Sequence, residues 1–464
     1  MTDGQPVRGM MHASPLESAI HDGDIDTVLV AFPDLQGRLV GKRVTGSYWV
    51  EHMDSGFEPL HACNYLLAVD SEMNVLPGYT FASWEQGYGD MVMQPDLETI
   101  RLVPWLEKTA LVLCNLVDEH AGAPIEVSPR RILQRQVERA AAAGISVKFA
   151  SELEFFLFRE SLGEAAAKGY TQLTPHSLVI EDYHILQTTR DEYIIRAIRN
   201  GIDGAGVPVE FSKGEAGRGQ HEINLVYTSP VEMADRHVVY KNGAKEIAAQ
   251  YDRAITFMAK YSADEVGSSC HVHSSVWSAD GAQSLMWDDA ALDHLSPTFR
   301  GWLGGQIASG RELAWMFAPT VNSYKRYQPE SWAPTALAWS IDNRTCGFRI
   351  VGHGPSFRLE SRIPGADVNP YLAYAATIAA GLYGIEHGVD PGTRFDGNAY
   401  AAPELARVPS SIVEAIDAFA TSKVAVDAFG EAVHDHLLNT ARQEWNHFNR
   451  AVTDWERRRN FDQW

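Results

Sequence analysis

Four short stretches of the sequence place charged or histidine side chains together on one face of a predicted strand. In "SELEFFLF" (151–158), Glu152 and Glu154 are two positions apart and share a face, because side chains alternate along a strand. The apolar run Phe155–Phe158 predicts a strand that is covered on both sides. Carboxylates are costly to bury without a positive partner, so the pattern indicates a cation bound between them.

The other three stretches repeat this alternation. Glu210, Glu215 and Glu222 lie in "EFSKGEAGRGQHEINLVY", where Gln220 and Glu222 share a face. In the remaining two stretches, "GSSCHVHSSVW" and "SFRLESRIPG", the residues on one face are His271, His273 and Ser275, and Arg358, Glu360 and Arg362. Each pattern alone is common on a solvated strand edge or in a surface ion-pair ladder. Their recurrence on four strands favours a functional site.

The residue types in these strands indicate the chemistry. Ligands that are mostly carboxylate oxygens, with one or two imidazoles, favour Mg²⁺ or Mn²⁺ over zinc. Two or more such ions together with several arginines are typical of phosphoryl transfer, which depends on positioning and charge neutralisation. The sequence has no phosphate-binding GxxxxGK[ST] loop and no kinase signature. A nucleotide would therefore be held by another architecture.

The elements that must position these residues fall into two predicted domains, as expected for 464 residues. "TVLVAFPD" and "LVGKRV" predict a hairpin, and "TALVLCNLV" (109–117) predicts a further strand. The polar break "DEHAGAP" precedes a predicted helix that begins at Ser128-Pro129, carries a stripe including Ala141, and ends at Gly144. We predict a poorly ordered N-terminus, a small domain and a catalytic domain, over residues 1–20, 21–122 and 123–464.

Composition excludes several classes of partner. The net charge of −21 argues against binding to nucleic acid or to an anionic membrane. The longest near-apolar run, "AYAATIAAGLYGI" (373–385), is too short to span a membrane, and the N-terminus has no apolar signal core. The four cysteines are widely separated, which suits reduced thiols. We therefore expect a cytoplasmic protein.

The order of these motifs resembles the glutamine synthetase superfamily. The series is ExE, E-x6-E, GSxxHxHxS, "NSYKR", "NR" and RxExR followed by "NPYLAYAATIAAG", over roughly residues 22–390. The resemblance implies an α+β fold, with an N-terminal β-grasp domain and a large catalytic domain built on a curved antiparallel sheet with surrounding helices. It also implies a homo-oligomer of hexameric rings stacked into a dodecamer, with active sites shared between subunits.

The resemblance assigns roles by position. It implies about two or three Mg²⁺ or Mn²⁺ ions per active site, with ligands at Glu152, Glu154, Glu215, Glu222, His271 and Glu360. It implies that glutamate is held by Gly267, Arg326 and Arg362. ATP, a substrate, would lie against Glu210, His273, Ser275, Arg349 and Arg358, and the catalytic residues would be Arg344, at the transferring phosphoryl group, and Glu215.

Three departures from the family pattern concern the amine. Ammonia-using members carry a glutamate immediately before Ala-Pro, where this sequence has Trp332 in "NSYKRYQPESWAPT". Their Asp-Gly-Ser-Ser motif is missing from "GFEPLHACNYLLAVD", which offers only Glu58 or His61. Their Asn-Gly-Ser becomes Val266-Gly267-Ser268. An indole offers apolar surface and a cation–π face but takes no proton, so these changes favour an organic primary amine over ammonia.

The base that deprotonates the amine stays open at this point. A primary amine is mostly protonated at neutral pH, with a pKa of about 10, so a base is required. The candidates are Glu215, Glu58, His61 and Glu330, and Trp332, Glu330 and His61 form the predicted amine pocket.

We predict that the protein is a ligase that joins the γ-carboxylate of glutamate to a small amine through γ-glutamyl phosphate, with ethanolamine favoured. A polyamine would need further carboxylates, and the segment around Trp332 has only Glu330. The alternatives are polyamine γ-glutamylation, an authentic glutamine synthetase using ammonia, and an inactive ring-forming structural protein. Covalent modification of Tyr400 in "GNAYAAPEL" is a further possibility.

Overall fold

The structure is a computed structural model that describes residues 7–54 and 59–463. Its first sheet has five strands, in the order β2-β1-β5-β4-β3. β1 and β5 run parallel, and the other neighbours are antiparallel. The strands are β1 Thr27–Pro33, β2 Leu39–Thr45, β3 Leu60–Cys63, β4 Asp90–Leu102 and β5 Thr109–Asp118.

The predicted hairpin is confirmed, since β1 and β2 pair from Thr27 opposite Thr45 to Pro33 opposite Leu39. Its turn is fixed by Asp34, which accepts hydrogen bonds from the backbone amides of residues 36 and 38 at 3.0 and 2.8 Å. Gly37 has a φ of +72°, which favours glycine at that position of the turn. The first domain is the predicted β-grasp.

The prediction of poor order at the N-terminus is wrong over its second half. Residues 13–21 form helix α1 (Ala13–His21), and Leu16 on that helix is completely buried. The polar composition of this stretch does not indicate an ordered helix. Burial of Leu16 and packing against α2 (Gly46–Asp54) nevertheless order it. Residues 1–6 lie outside the described range.

The second sheet has eight strands and supplies most of the predicted site. Its order is β11-β12-β13-β10-β6-β8-β7, and β9 pairs with β6. All neighbours are antiparallel except β11 and β12. The strands are β6 Ile145–Phe158, β7 Val209–Gly214, β8 Gln220–Leu225, β9 Ala254–Thr256, β10 Cys270–Ser278, β11 Trp339–Ile341, β12 Phe348–Val351 and β13 Arg358–Ser361.

Register in this sheet brings the acidic and histidine residues side by side. Glu152 on β6 lies opposite His271 on β10, and Glu154 lies opposite Glu222 on β8. Residues Phe155–Phe158 of β6 are at most 1% exposed, which confirms a strand covered on both faces. One face of a single sheet therefore carries these side chains, which are predicted metal ligands, and we call it the ligand-bearing face.

Helices cover this sheet, and 14 of the 18 residues of α10 (Pro370–His387) are buried. Asn369 caps it by accepting a hydrogen bond from the Tyr371 amide at 3.1 Å, and Gly388 ends it with a φ of +59°. A Cβ at Gly305 of α8 would lie 1.9 Å from the Ala380 carbonyl oxygen, so glycine permits the close contact of α8 with α10. The remaining bounds are α3 Pro129–Ala142, α4 Leu162–Ala167, α5 Ile185–Thr188, α6 Glu192–Asp203, α7 Pro230–Gln250, α8 Pro297–Ala308, α9 Ala314–Phe317, α10 Pro370–His387, α11 Ile412–Ala420, α12 Lys423–Phe429, α13 Glu431–Arg450 and α14 Asp454–Asn460.

Helix α3 confirms the predicted start after Ser128 and the glycine at its end, since Gly144 has a φ of +77°. Two details differ. The Ser128 side chain makes no capping hydrogen bond, and Ala141 is exposed rather than part of the buried stripe. The described helices include none with the length and apolar character needed to cross a bilayer.

Candidate active site

A cavity of about 450 Å³ opens on the ligand-bearing face of the second sheet. All six predicted metal ligands line this cavity: Glu152, Glu154, Glu215, Glu222, His271 and Glu360. Sequence analysis thus identified side chains from five separate segments that meet in one cavity.

Two groups of three side chains place their ligand atoms within 4.8 Å of one another. Glu152, His271 and Glu360 form the first group, and Glu154, Glu222 and His271 form the second. His271 Nδ1 is 3.1 Å from Glu152 Oε2 and 3.7 Å from Glu360 Oε1. Because His271 belongs to both groups, the two sites adjoin. Glu215 stands outside both groups and contacts Lys213.

The carboxylates of the second group repel one another. Burial and the nearby charge of Glu215 raise the pKa of Glu154 to about 8. Burial and the charge of Glu152 raise the pKa of Glu222 well above its usual range. At Glu152 burial also opposes the charged form, but His273 and His271 outweigh it and hold the pKa well below its usual value. Negative charge is therefore concentrated here beyond what the protein's own cations neutralise.

This donor set fits divalent metal ions. Nε2 of the buried His271 has no hydrogen-bond partner among the described residues. The other ligands are carboxylate oxygens, which hard divalent cations prefer. A divalent ion would neutralise the repulsion between Glu154 and Glu222 and use the imidazole nitrogen, so both the charge and the geometry suit such an ion.

Arginines border the predicted metal ligands. Glu360 Oε2 accepts a hydrogen bond from Arg349 at 2.8 Å, and Oε1 accepts one from Arg362 at 2.5 Å. Burial alone would raise the pKa of Glu360, but His271 and Arg362 lower it to about 2. Arg326 is completely buried and donates to the backbone carbonyls of residues 362 and 363. These contacts fix the guanidinium groups at the cavity wall.

Gly267 lies against Arg326 in the same cavity. A Cβ at residue 267 would be 2.6 Å from Arg326 Cγ and 2.7 Å from the Ala259 carbonyl oxygen. Only glycine allows this approach without displacing the arginine. The three residues predicted to hold glutamate, which are Gly267, Arg326 and Arg362, therefore all line the cavity.

A second cavity, of about 390 Å³, adjoins the first. Glu152 and Asn224 line both. Four of the five predicted ATP residues line this second cavity: Glu210, His273, Ser275 and Arg358. The fifth, Arg349, lines the first cavity. Arg358 Nε is 3.1 Å from His273 Nδ1, and Glu210 is the extra residue of a bulge in β7.

The loop after residue 326 forms one wall of the first cavity. Trp332 lines it, is 59% exposed and has a φ of +65°. Its carbonyl oxygen accepts a hydrogen bond from Arg362 at 3.4 Å. Arg344 also lines the cavity and is exposed. Glu330 has a φ of +58°, is exposed and does not line the cavity, so the structure does not support its predicted place in the amine pocket.

His61 is also absent from the walls of this cavity. It lies on β3, and its Nε2 is 3.6 Å from Glu119 Oε1. The structure therefore does not support the predicted place of His61 in the amine pocket within one chain. Glu58 lies outside the described residues. The Tyr400 hydroxyl donates a hydrogen bond to the Ala333 carbonyl at 2.9 Å.

Sequence reasoning missed several residues that line the first cavity, among them Asp182, Tyr183, Lys213 and Asn224. Lys213 Nζ is 3.1 Å from Asp182 Oδ1 and 4.3 Å from the centre of the Tyr183 ring. Alternation along β8 could have identified Asn224, which shares a face with Gln220 and Glu222. Asp182 and Tyr183 lie outside the helices and strands, so no helical or strand periodicity could have predicted their place in the cavity.

Comparison with known proteins identifies the family. The sequence profile described as "Glutamine synthetase, catalytic domain" matches residues 126–460, which is well over half of the chain. The chain belongs to the glutamine synthetase family.

Relatives of this glutamine synthetase family member match it over nearly its whole length. A gamma-glutamylethanolamide synthetase of Streptomyces coelicolor is 47% identical over 448 residues, covering 96% of this chain and 95% of that protein. A glutamate–isopropylamine ligase of a Pseudomonas species is 36% identical over 447 residues, covering 96% of each. The prediction of a ligase of the glutamine synthetase family is confirmed.

Solved structures confirm the predicted glutamine synthetase fold. GmaS in complex with ADP superposes with a TM-score of 0.83 at 28% identity, over 96% of this chain and 99% of that chain. GmaS without ligand has a TM-score of 0.82 over the same shares of each chain. Divalent metals and ATP are general for this family, and the acidic and histidine groups of the first cavity could bind metal.

Proposed function

We propose that the protein ligates the γ-carboxylate of L-glutamate to a small primary amine in an ATP-dependent reaction, with ethanolamine as the favoured amine. The observation that carries this proposal is the pair of adjoining cavities. The first cavity, with its carboxylates and buried arginines, suits metal ions and glutamate. The second cavity, with His273 and Arg358, suits a nucleotide. Similarity to a gamma-glutamylethanolamide synthetase and to a glutamate–isopropylamine ligase supports an organic amine.

The proposed roles follow from the contacts. Arg326 and Arg362, fixed by backbone carbonyls and by Glu360, would bind the carboxylates of glutamate beside Gly267. Arg344, at the cavity wall, would stabilise the phosphoryl group in transfer. The two carboxylate groups that share His271 would hold Mg²⁺ or Mn²⁺, which neutralise phosphate charge when bound.

The second half of the reaction is an attack by the amine on γ-glutamyl phosphate. The ammonium form first loses a proton to a base, and of the candidates among the described residues Glu215 is the one that lines the first cavity. The neutral nitrogen then forms the C–N bond while the C–O bond to phosphate breaks and phosphate leaves. The products are the γ-glutamyl amide, ADP and phosphate.

Trp332 supports a small organic amine over ammonia. Its indole lines the cavity and is 59% exposed, so it offers apolar surface for an alkyl or hydroxyalkyl group. Asp182 is a further acidic residue at the cavity wall, which would suit a polyamine, but it is paired with Lys213. Lys213 also contacts Glu215 and so neutralises only part of this charge, and ethanolamine stays favoured because of the apolar surface that Trp332 offers.

We also propose that the active site is completed by another copy of the chain, in hexameric rings stacked into a dodecamer. Exposed apolar side chains beside the first cavity support this, namely Leu178, Ile180, Tyr183, Ile185 and Leu186. His61, on the first sheet, would reach the amine only from a neighbouring subunit. Mass photometry would test the assembly size.

An amine panel tests the proposed function. ADP release and the mass of the amide product would be measured with glutamate, ATP, Mg²⁺ and each of ethanolamine, ethylamine, putrescine and ammonia. We expect ethanolamine to give the highest kcat/KM, and Glu152→Gln to abolish ADP release with every amine. Ammonia as the best acceptor would identify a glutamine synthetase, and no amide with any amine would favour a structural protein.

A further inference from the structure

A third group of acidic and histidine side chains lies outside the two predicted metal sites of the first cavity. Glu181, Asp191 and His221 place their ligand atoms within 4.8 Å of one another. Their side chains are 0%, 2% and 1% exposed. Glu181 and Asp191 come from the segment between α4 and α6, on either side of the short helix α5, whereas His221 is on β8. The group therefore joins this segment to the catalytic sheet.

The hydrogen bonds of this group leave Glu181 unsatisfied. Asp191 Oδ1 is 2.7 Å from His176 Nδ1, and Asp191 Oδ2 is 3.2 Å from His221 Nε2. Within the described part of the chain, neither carboxylate oxygen of Glu181 has a hydrogen-bond partner. The Nε2 atom of His221 lies 3.5 Å from Glu181 Oε2, but one imidazole N–H cannot satisfy two carboxylates. A buried carboxylate without a partner destabilises the fold, so this position favours a bound cation.

The distances match the edges of a tetrahedral metal site. Ligand bonds to zinc of about 2.0–2.1 Å place neighbouring ligand atoms about 3.3–3.4 Å apart in a tetrahedron. The separations from His221 Nε2 to Asp191 Oδ2 and Glu181 Oε2 are 3.2 and 3.5 Å. An imidazole ligand favours zinc over calcium or magnesium. His176 would orient Asp191, as outer hydrogen-bond partners commonly do for metal-ligating carboxylates.

We infer that Glu181, Asp191 and His221 bind one Zn²⁺ ion, with water as the fourth ligand. The ion joins the segment between α4 and α6 to β8, one residue before the predicted metal ligand Glu222. It also supplies the charge that two adjacent buried carboxylates lack. The rival arrangement is a proton shared between Glu181 and Asp191 with no metal, and it differs from ours in metal content.

The position of this site gives it a consequence for the amine, and that consequence rests on the proposed function. Asp182 and Tyr183, which follow Glu181 directly, line the first cavity. A Cβ at Gly214 would be 2.7 Å from the Glu181 carbonyl oxygen, so the segment packs directly on the end of β7, beside Glu215. Zinc would thus fix the part of the first cavity's wall that Asp182 and Tyr183 form, which we call the acceptor wall because we propose that the amine binds there. It would have little influence on the second cavity, where we propose that the nucleotide binds.

Metal analysis of matched variants tests the zinc site. The full chain would be purified with zinc, dialysed against excess Mg²⁺, and analysed for zinc by plasma mass spectrometry. We expect roughly one zinc ion per chain to be retained and this zinc to be lost in Glu181→Gln and Asp191→Asn. The control Glu192→Gln removes a neighbouring carboxylate that pairs with Arg199 at 2.6 Å instead, and it should retain the zinc. No zinc in the wild type, or equal zinc in Glu181→Gln, would overturn the inference.

Diffraction from wild-type crystals keeps the test independent of variant folding and of the catalytic metals. An anomalous map at the zinc edge should show a peak between Glu181, Asp191 and His221. A peak only beside His271 and Glu360 would overturn the inference. Glu181→Gln should raise KM for the amine about tenfold while KM for ATP stays within about twofold. A wild type that holds zinc but forms no amide would contradict the proposed function and leave the zinc site standing.

Discussion

Arg349 and Glu360 face each other across β12 and β13, and Arg349 Nη1 donates to Glu360 Oε2 at 2.8 Å. This pair ties a residue predicted to contact ATP to a residue predicted to bind metal. The guanidinium therefore competes with a metal ion for the same carboxylate oxygen. Nucleotide phosphates would relieve this competition by drawing Arg349 toward them.

From this pair we predict opposite effects of Arg349→Gln on two ligands. ATP affinity should fall about 10- to 100-fold, because a hydrogen bond to a charged group contributes about 1.5–3 kcal/mol. Mn²⁺ affinity without nucleotide should stay equal or rise, because Glu360 loses a competing cation. Calorimetry with a non-hydrolysable ATP analogue and paramagnetic titration of Mn²⁺ would measure the two. Arg394→Gln, which removes an exposed arginine paired with Asp396, is the control. A parallel loss of both affinities would show that Arg349 supports the metal site instead.

Alternation within single strands was sufficient to predict which strand faces carry the candidate metal ligands. It was not sufficient to predict how those strands pair in the sheet. Alternation along β6 and β13 identified Glu152 and Glu360, and burial of Phe155–Phe158 confirmed the strand. The pairing of His271 with Glu152 depends on the register between β6 and β10, whose residues are more than a hundred positions apart. Long-range register leaves no mark in a single sequence, so the motifs required a family resemblance to be assembled into one site.

Irregular segments account for most of what was missed. Asp182 and Lys213 meet at the cavity wall because a segment without repeating pattern folds against β7. Glu330 was predicted from its closeness in sequence to Trp332, yet their two left-handed backbone conformations separate the two side chains. Helix α1 buries Leu16, with Ala19 and Ile20 partly buried against the same core, and this short apolar stripe was overlooked because residues 1–20 are polar overall.

Lys213 offers a test of charge balance at the acceptor wall. Its ammonium contacts Glu215 and Asp182, so Lys213→Met would leave two carboxylates facing the cavity without this cation. We expect kcat/KM for putrescine to rise about tenfold relative to ethanolamine, since a charge-assisted hydrogen bond contributes about 1.5 kcal/mol or more. Steady-state kinetics with the two amines would measure the ratio. Lys168→Met, which removes a lysine paired with Glu160 elsewhere, should leave the ratio unchanged. An unchanged ratio in Lys213→Met would mean that these carboxylates do not contact the amine.

His436 predicts a dependence of stability on pH. It lies on α13, and its Nε2 is 2.8 Å from the Leu67 carbonyl of the first domain, so this nitrogen carries the proton of the neutral ring. Burial lowers the pKa of His436 from 6.5 to about 4. On acidification the unfolded chain takes up the proton first. The contribution of His436 to the free energy of unfolding is therefore fully present above pH 6.5. It is lost as the pH falls toward 4, which lowers the free energy of unfolding by about 3 kcal/mol in all.

Urea denaturation at fixed protein concentration would measure this effect. The midpoint of wild type should fall between pH 7 and 4, and His436→Gln, which keeps a donor for Leu67, should fall less steeply. His447→Gln changes a more exposed histidine on the same helix and should follow the wild type. Equal pH slopes for all three proteins would show that His436 does not titrate between the folded and unfolded states.

Trp332→Glu tests the choice of amine. The resemblance predicts that Trp332 replaces the proton-accepting glutamate of ammonia-using family members, and Trp332 lines the first cavity. A carboxylate there would bind ammonium and take its proton, while the apolar surface for an organic group would be lost. We expect the ratio of ammonia to ethanolamine kcat/KM to rise at least about tenfold, since an exposed cation–π contact is worth about 0.5–1 kcal/mol and a base contributes more. Amide products quantified in a competition between the two amines would give the ratio. Trp455→Glu, at an equally exposed tryptophan on α14, is the matched control. If Trp332→Glu left the amine profile of the wild type, Trp332 would lie outside the acceptor pocket, and the preference for an organic amine would have to come from the Asp182–Lys213 wall.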